Sequence, residues 1–314
     1  MMHMKTIPSD TLLIFLVQLF ILPIHAQLPQ QPSKFIDPIF PDVQVKKNLV
    51  YNETPPAGTN KKYGYFDFYE PNGDSSTARP LIIWLHGGGF KFGKKNSGGL
   101  PLWSRIFAQR GYVCAALNYR LSKKHPLKHF EDMVEACADA VDDVSDAVQF
   151  FKAHCRQYRI DTNHIILGGN SAGGMIALQA AYGSRPDMAK LIHRGDSTVA
   201  QVYNPQHVAA IINYWGALFN ADWLKHGRVP IVSAHGSRDR IVPYDDRKPP
   251  LLGSLAIHRI ADSLQIPNSL KVFKGYSHEL QKHFNPFFAG GAAKKRWRMA
   301  AEFTAAFLYQ QLFR

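Results

Sequence analysis

The sequence predicts an α/β fold: a mostly parallel central sheet with helices on both faces and no large cap domain. Three observations carry that expectation. Residues 80–86, PLIIWLH, are apolar without alternation, as a parallel strand buried on both faces should be. Residues 164–167 form a second such run, and from 175 onward the chain turns apolar and alanine-rich in the manner of a helix. Between these two, residues 168–174 are dense in glycine, so strand passes to helix within very few residues.

The elements follow in chain order. Lys5, an apolar run over 11–24 and the small residue Ala26 before Gln27 together read as a cleavable export signal over 1–26. The run is short for a bilayer span, which needs ~20 apolar residues; an uncleaved N-terminal anchor is the alternative. The mature domain is expected over 27–314, exported to the periplasm or secreted, with no stable membrane insertion. Residues 27–41 are an irregular leader, and 47–54 with 63–69 alternate as a first antiparallel pair of strands. A polar turn over 71–80 leads into the central strand. Then come a helix over 101–109, a strand over 112–119, a basic loop over 121–130 and a long amphipathic helix over 131–158. Val134, Ala138, Val141, Val144, Val148 and Phe151 mark the buried stripe of that helix, and its carboxylates are expected mostly on the solvated face. Residues 184–205 are polar and irregular, too short for a large lid. Strands over 208–214, 230–235 and 269–273, a helix over 254–264 and a closing helix over 294–313 complete the chain.

With 314 residues, 46% of them hydrophobic, the chain can bury a large core. Its net charge is +13, dispersed in short clusters such as Lys94-Lys95 and Lys123-Lys124. No basic helix interleaved with aromatics and no nucleic-acid motif is present, so nucleic acid is not an expected partner. The basic surface suits solubility or attraction to anionic polymers. Of the three cysteines, Cys137 and Cys155 lie on one predicted helix, too far apart for a bridge unless that helix breaks. No CxxC or HExxH spacing occurs, so zinc has little support.

Ser171 sits between Gly169 and Gly173 in the order G-x-S-x-G, at a strand-to-helix turn. Such a turn strains the serine backbone and lifts its Oγ above the sheet, and side chains at the two glycine positions would strike neighbouring backbone. The first turn of the following helix then presents the N–H of Ala172 to a developing negative charge. His86-Gly87-Gly88-Gly89-Phe90 leaves the central strand with bare backbone amides, which can aim at one point without obstruction. His86 itself reads as a structural hydrogen-bonding residue. Asp239, just past the strand over 230–235, is placed to accept the Nδ1–H of a histidine; Asp245 and Asp246 are the alternatives. His278 follows the last strand and is the expected base, with His283 as its competitor.

These parts occur in the order oxyanion loop, Ser171, Asp239, His278. The chain resembles the α/β-hydrolase esterase and lipase group, whose signature pairs HGGGF with GNSAGG, and in particular compact exported bacterial carboxylesterases including feruloyl and acetyl-xylan esterase relatives. The motifs HGSRDRIVP and GYSHEL add support. The resemblance implies a serine carboxylic-ester hydrolase with Ser171 as nucleophile, His278 as base, Asp239 as its partner, and Gly88, Gly89 and Ala172 as oxyanion donors. It implies an acyl-enzyme, no metal or organic cofactor, and small or polysaccharide-linked ester substrates. Pocket walls are expected from Phe90, Tyr119, Trp215 and Leu218. A serine peptidase or amidase on the same fold, and a catalytically silent binding protein, are the rival readings.

Overall fold

The apolar run around Ile82 and Trp84 becomes the strand on which the rest of an eight-stranded sheet is assembled. The computed structural model describes Met1 and residues 33–54, 59, 62–192, 207–246 and 250–314. The predicted export signal therefore lies, Met1 apart, outside the described residues. The elements run β1 (Val43–Val50), β2 (Tyr65–Pro71), β3 (Arg79–Leu85), α1 (Leu100–Ala108), β4 (Val113–Leu117), α2 (Phe130–Ala153), α3 (Cys155–Tyr158) and β5 (Ile160–Asn170). They continue with α4 (Ala172–Tyr182), α5 (Arg185–Leu191), β6 (Ala210–Tyr214), β7 (Ile231–Gly236), α6 (Ser254–Ser263), β8 (Asn268–Phe273) and α7 (Gly291–Leu312).

The strand order is β1-β2-β4-β3-β5-β6-β7-β8. β1 and β2 pair antiparallel, β2 meets β4 antiparallel, and every later pairing is parallel. Because side chains alternate across a strand, β3 feeds two cores. Leu81, Ile83 and Leu85 pack with Val141, Val144 and Val148 of α2 and with Ile176 of α4. Ile82 and Trp84 pack on the other face with Trp103 and Phe107 of α1 and Trp297 and Leu308 of α7. No helix among the described residues is long and apolar enough to cross a membrane.

Two expectations need correction. The helix predicted over 131–158 is broken at His154, whose backbone leaves helical geometry (φ −105°, ψ 23°). The His154 ring donates from Nδ1 to Phe150 O at 2.8 Å and caps the last turn of α2, after which α3 and the left-handed Arg159 (φ 52°) return the chain to β5. The break does not join Cys137 to Cys155; all three cysteines are unbridged. Residues 184–205 are not wholly irregular. Ser184 accepts the Asp187 N–H at 3.1 Å as an N-cap and Pro186 sits in the first turn, which together start α5; 193–206 lie outside the described residues. Among the described residues α5 is the only regular element between α4 and β6. The α2 carboxylates are mostly exposed or half-buried, as expected; the buried one, Asp143, accepts both the backbone N–H and the Nε–H of Arg120, each at 2.7 Å, pinning the segment after β4.

Candidate active site

All the predicted site residues leave the C-terminal ends of parallel strands, the edge where open α/β sheets gather functional groups. β5 ends at Asn170 and α4 begins at Ala172, so Ser171 alone makes the reversal. It does so at φ 53°, ψ −121°, a conformation that costs a non-glycine residue on the order of 1–3 kcal/mol. Packing around the turn holds it there. A Cβ on Gly173 would lie 2.0 Å from Leu85 O, and one on Gly169 would lie 2.4 Å from Gly173 C and 2.7 Å from Leu85 O. The elbow is therefore pressed against the end of β3, its neighbour in the sheet, where Leu85 pairs with Gly169.

That contact also sets the glycine loop. Asn170 Oδ1 accepts the N–H of Gly87 at 3.2 Å, tying the loop after β3 to the residue before Ser171. Gly88 (φ 118°) adopts a backbone that side chains disfavour, and a Cβ there would lie 2.2 Å from Phe92 O. Outside the regular elements, no backbone hydrogen bond among the described residues uses the N–H of Gly88, Gly89 or Ala172. His86 is buried, stacks on Tyr119 at 4.3 Å and donates from Nδ1 to Gly87 O at 2.8 Å. Burial pulls its pKa down to about 4, so it is neutral at pH 7, and its place is that of a loop brace.

The structure brings Ser171, His278 and Asp239 together. His278 Nε2 lies 2.9 Å from Ser171 Oγ, and His278 Nδ1 lies 2.7 Å from Asp239 Oδ2. These bonds span 107 and 39 residues of sequence. Asp239 Oδ1 accepts the N–H groups of Ile241 at 2.9 Å and Val242 at 3.1 Å. Burial alone would raise the Asp239 carboxyl, but hydrogen bonds from His235 and His278 outweigh it and hold the group at about 2. Phe284 stands edge-on to His278, ring centroids 5.0 Å apart. Of the alternatives, Asp246 and His283 are exposed and Asp245 half-buried, and none of the three takes part in these bonds.

The fold recurs in a solved esterase. Thermogutta terrifontis esterase 2, in a form phosphorylated by paraoxon, aligns with a TM-score of 0.59 over 87% of this chain and 96% of that one, at 22% identity. This chain has the α/β-hydrolase fold. Residues 66–220 match the BD-FAE family. Among curated proteins the chain is similar to the probable carboxylic ester hydrolase LipM of Mycobacterium tuberculosis. They are 32% identical over 111 residues, 35% of this chain and 23% of that protein. It is also similar to esterase LipI of the same organism, 26% identical over 159 residues, 50% of this chain and 42% of that protein. The chain thus spans less than half the length of either relative.

Within this α/β-hydrolase frame the expected pocket walls are displaced. Phe90, Tyr119, Trp215 and Leu218 are each at most 1% exposed, packed in the two cores instead of facing a cleft. Their place in apolar segments next to strand ends is what buries them. A cleft of about 710 Å³ lies beside the acid, lined by Arg238, Arg240, Asp245, Ser277, Lys282 and Phe284, next to Asp239. Sequence reasoning missed two residues at the site. Asn170 was visible as the immediate neighbour of Ser171, but only its bond to Gly87 gives it a task. His235 was visible as a histidine near the end of an apolar strand, four residues before Asp239; in the structure its Nε2 lies 3.3 Å from Asp239 Oδ2.

Proposed function

We propose that the protein is a serine carboxylic-ester hydrolase working through Ser171, His278 and Asp239. One observation carries the reading: a single imidazole stands within hydrogen-bond reach of the strained serine hydroxyl on one side and of a buried carboxylate on the other. The similarity to the BD-FAE family and to the two mycobacterial proteins supports the same reaction class.

The chemistry follows from the geometry. Asp239 accepts from His278 Nδ1, which leaves Nε2 unprotonated toward Ser171. As Ser171 Oγ attacks the ester carbonyl carbon, Nε2 takes its proton and Asp239 steadies the imidazolium. The carbonyl oxygen, now an anion, meets the N–H groups of Gly88, Gly89 and Ala172 at the start of α4, where the helix dipole adds favourably. Each such donor is worth roughly 3–4 kcal/mol to the transition state. Collapse breaks the ester C–O bond, and the alcohol leaves with the proton from Nε2. Water, deprotonated by the same nitrogen, then hydrolyses the acyl-enzyme and returns Ser171.

The substrates we propose are small or polysaccharide-linked esters of acetyl or feruloyl type. The cleft beside Asp239 carries charged side chains of both signs, Arg238, Arg240, Lys282 and Asp245, which suits a polar alcohol moiety better than a long aliphatic one. We further propose that 1–26 is removed on export and that 27–314 is the working enzyme; the N-terminal sequence of the secreted protein checks this. Esterase 2 of Thermogutta terrifontis is phosphorylated by paraoxon, and an organophosphate is equally a test here. The protein should be labelled stoichiometrically by paraoxon or a fluorophosphonate at Ser171, and should hydrolyse p-nitrophenyl acetate faster than the matching anilide. No labelling, or faster amide than ester turnover, would overturn the reading.

A further inference from the structure

On the side of Asp239 away from His278 lies a chain of buried polar groups that the reaction above does not use. His235, in β7, is fully buried. Its Nε2 faces two acceptors, Asp239 Oδ2 and Val242 O, each at 3.3 Å, and needs a hydrogen to meet them. Its Nδ1 lies 2.8 Å from Ser254 Oγ at the start of α6. Ser254 Oγ accepts from Asn213 Nδ2 at 3.2 Å, so its own hydrogen is available to His235 Nδ1. Asn213 Nδ2 also donates to Ser233 Oγ at 3.1 Å, and Asn213 Oδ1 accepts the Gly216 N–H at 3.0 Å. Asn213, Ser233, Ser254 and His235 are all without exposure.

These bonds fit one proton arrangement: a neutral His235 carrying its hydrogen on Nε2. A doubly protonated ring would place a second donor against Ser254 and leave the Ser254 hydrogen with no acceptor among the bonds the described residues form. The far end of the chain is anchored beside the elbow. A Cβ on Gly174 or Gly216 would lie 2.7 or 2.5 Å from Asn213 Oδ1, so the amide is packed against the first turn of α4.

We infer that His235 is a positioning residue for the reaction, fixing Asp239 Oδ2 as an Nε2–H donor whose tautomer is set by Ser254 and Asn213. The inference rests on the triad reading above. Asp239 is thereby held on all sides: two backbone amides on Oδ1, and one imidazole on each flank of Oδ2. With one flank open, the carboxylate keeps its amides but is free to rock, and the orientation it imposes on His278 loosens. An imidazole that only filled space would be replaceable by an apolar ring of similar size.

The test compares wild type with His235→Phe, His235→Gln and Ser254→Ala, reading kcat and KM on p-nitrophenyl acetate together with thermal melting. A lost hydrogen bond to a charged group corresponds to about 10- to 100-fold, so H235F should lose that much in kcat with KM within about 2-fold. H235Q, whose Nε2 can reach the same oxygen, should return to within about 3-fold of wild type. S254A should fall between them. Wild-type kcat in H235F, or a loss in H235F that H235Q does not rescue while both melt as wild type, overturns the inference. Should H235F not fold, unchanged kcat in S254A overturns it equally. A wild-type protein inert toward both ester and fluorophosphonate overturns the triad reading and this inference with it. An active wild type with indifferent variants overturns this one alone.

Discussion

Replacing Asp239 by asparagine removes one charge and almost no volume, and the structure dictates how the new amide must lie. Oδ1 of Asp239 accepts two backbone N–H groups, from Ile241 and Val242, while Oδ2 faces His278 Nδ1 at 2.7 Å. An asparagine that kept its oxygen toward the two amides would turn its NH2 toward His278. The opposite rotamer would set that NH2 against two amide hydrogens at 2.9 and 3.1 Å, losing both bonds and adding repulsion. The first arrangement sets the NH2 against one donor, His235 Nε2–H, which keeps Val242 O as an acceptor, whereas the second forfeits two amide bonds; the first therefore wins, and His278 must accept at Nδ1 and carry its hydrogen on Nε2. That hydrogen then points at Ser171 Oγ, 2.9 Å away, and the ring has no lone pair for the serine proton. The expected loss in kcat is about 10,000-fold, or roughly 5.5 kcal/mol of transition-state stabilisation. Steady-state hydrolysis of p-nitrophenyl acetate measures it, with circular dichroism and melting to confirm the fold. A folded Asp239→Asn enzyme within about 10-fold of wild type would refute the assignment of the tautomer to this carboxylate.

Other outcomes follow from the same geometry. Ser171→Ala should fall below about a thousandth of wild-type turnover and take no fluorophosphonate, while relief of its backbone strain leaves melting unchanged or higher; labelling and calorimetry check both. Asn170→Ala should lower kcat by about 10-fold with little change in KM, because the Gly87 N–H loses its acceptor and the oxyanion loop its tie to the elbow; wild-type kcat would count against that tie. Gly173→Ala should destabilise by more than about 3 kcal/mol or yield no soluble protein, since its Cβ would meet Leu85 O at 2.0 Å; an unchanged melting curve would contradict the packing. The Asp239 carboxyl is held at about 2 against an ordinary 3.8, so its ionised form stabilises the fold by about 2 kcal/mol above pH 4. That contribution is lost as pH falls from about 4 toward 2, so the stability gap between wild type and Asp239→Asn should narrow over that window in urea titrations.

What the sequence disclosed and what it hid divide along a physical line. Local backbone demands were readable: glycines at 169 and 173 announce a turn with no room for side chains, and a Cβ at either position would indeed collide with backbone. Strands buried on both faces were readable for the same reason, since 80–86 and 164–167 show no alternation. Position along the chain favoured His278 over His283 and Asp239 over Asp245 because each follows a parallel strand closely, and these two are the residues that lie in hydrogen-bond reach of one another and, through His278, of Ser171. Apart from α5, whose Ser184 cap and Pro186 are local signals, the misses were cases in which tertiary partners decide. Nothing local distinguishes an aromatic that lines a cleft from one that fills a core, and Trp215 and Tyr119 went to the core. The break at His154 depends on a ring bonding back to Phe150 and on where β5 must begin. His235 looked like one histidine among fourteen until its two nitrogens were seen between Asp239 and Ser254.

In the proposed reaction, the strand order sets the two kinds of group that would serve the Ser171 hydroxyl on opposite flanks. β5, which ends at the serine, lies between β3 and β6. The chain leaving β3 is therefore the serine's immediate neighbour, near enough for Leu85 O to crowd Gly173 and for Asn170 to hold Gly87. Amides from that loop can only approach from the β3 side. Asp239 and His278 come from loops after β7 and β8, further along the other half of the sheet. The imidazole must reach back across the ends of β7 and β6 to touch Ser171. A reach of that length needs bracing, and the bracing is there: Asp239 behind His278, His235 behind Asp239, and Ser254 and Asn213 behind His235. Asn213 belongs to β6, the strand directly beside β5. The chain of hydrogen bonds thus starts at the serine's hydroxyl, runs out to the loop after β7 and returns to the strand next to the serine. The position of His278 is in this way referred back to the same part of the sheet that fixes Ser171.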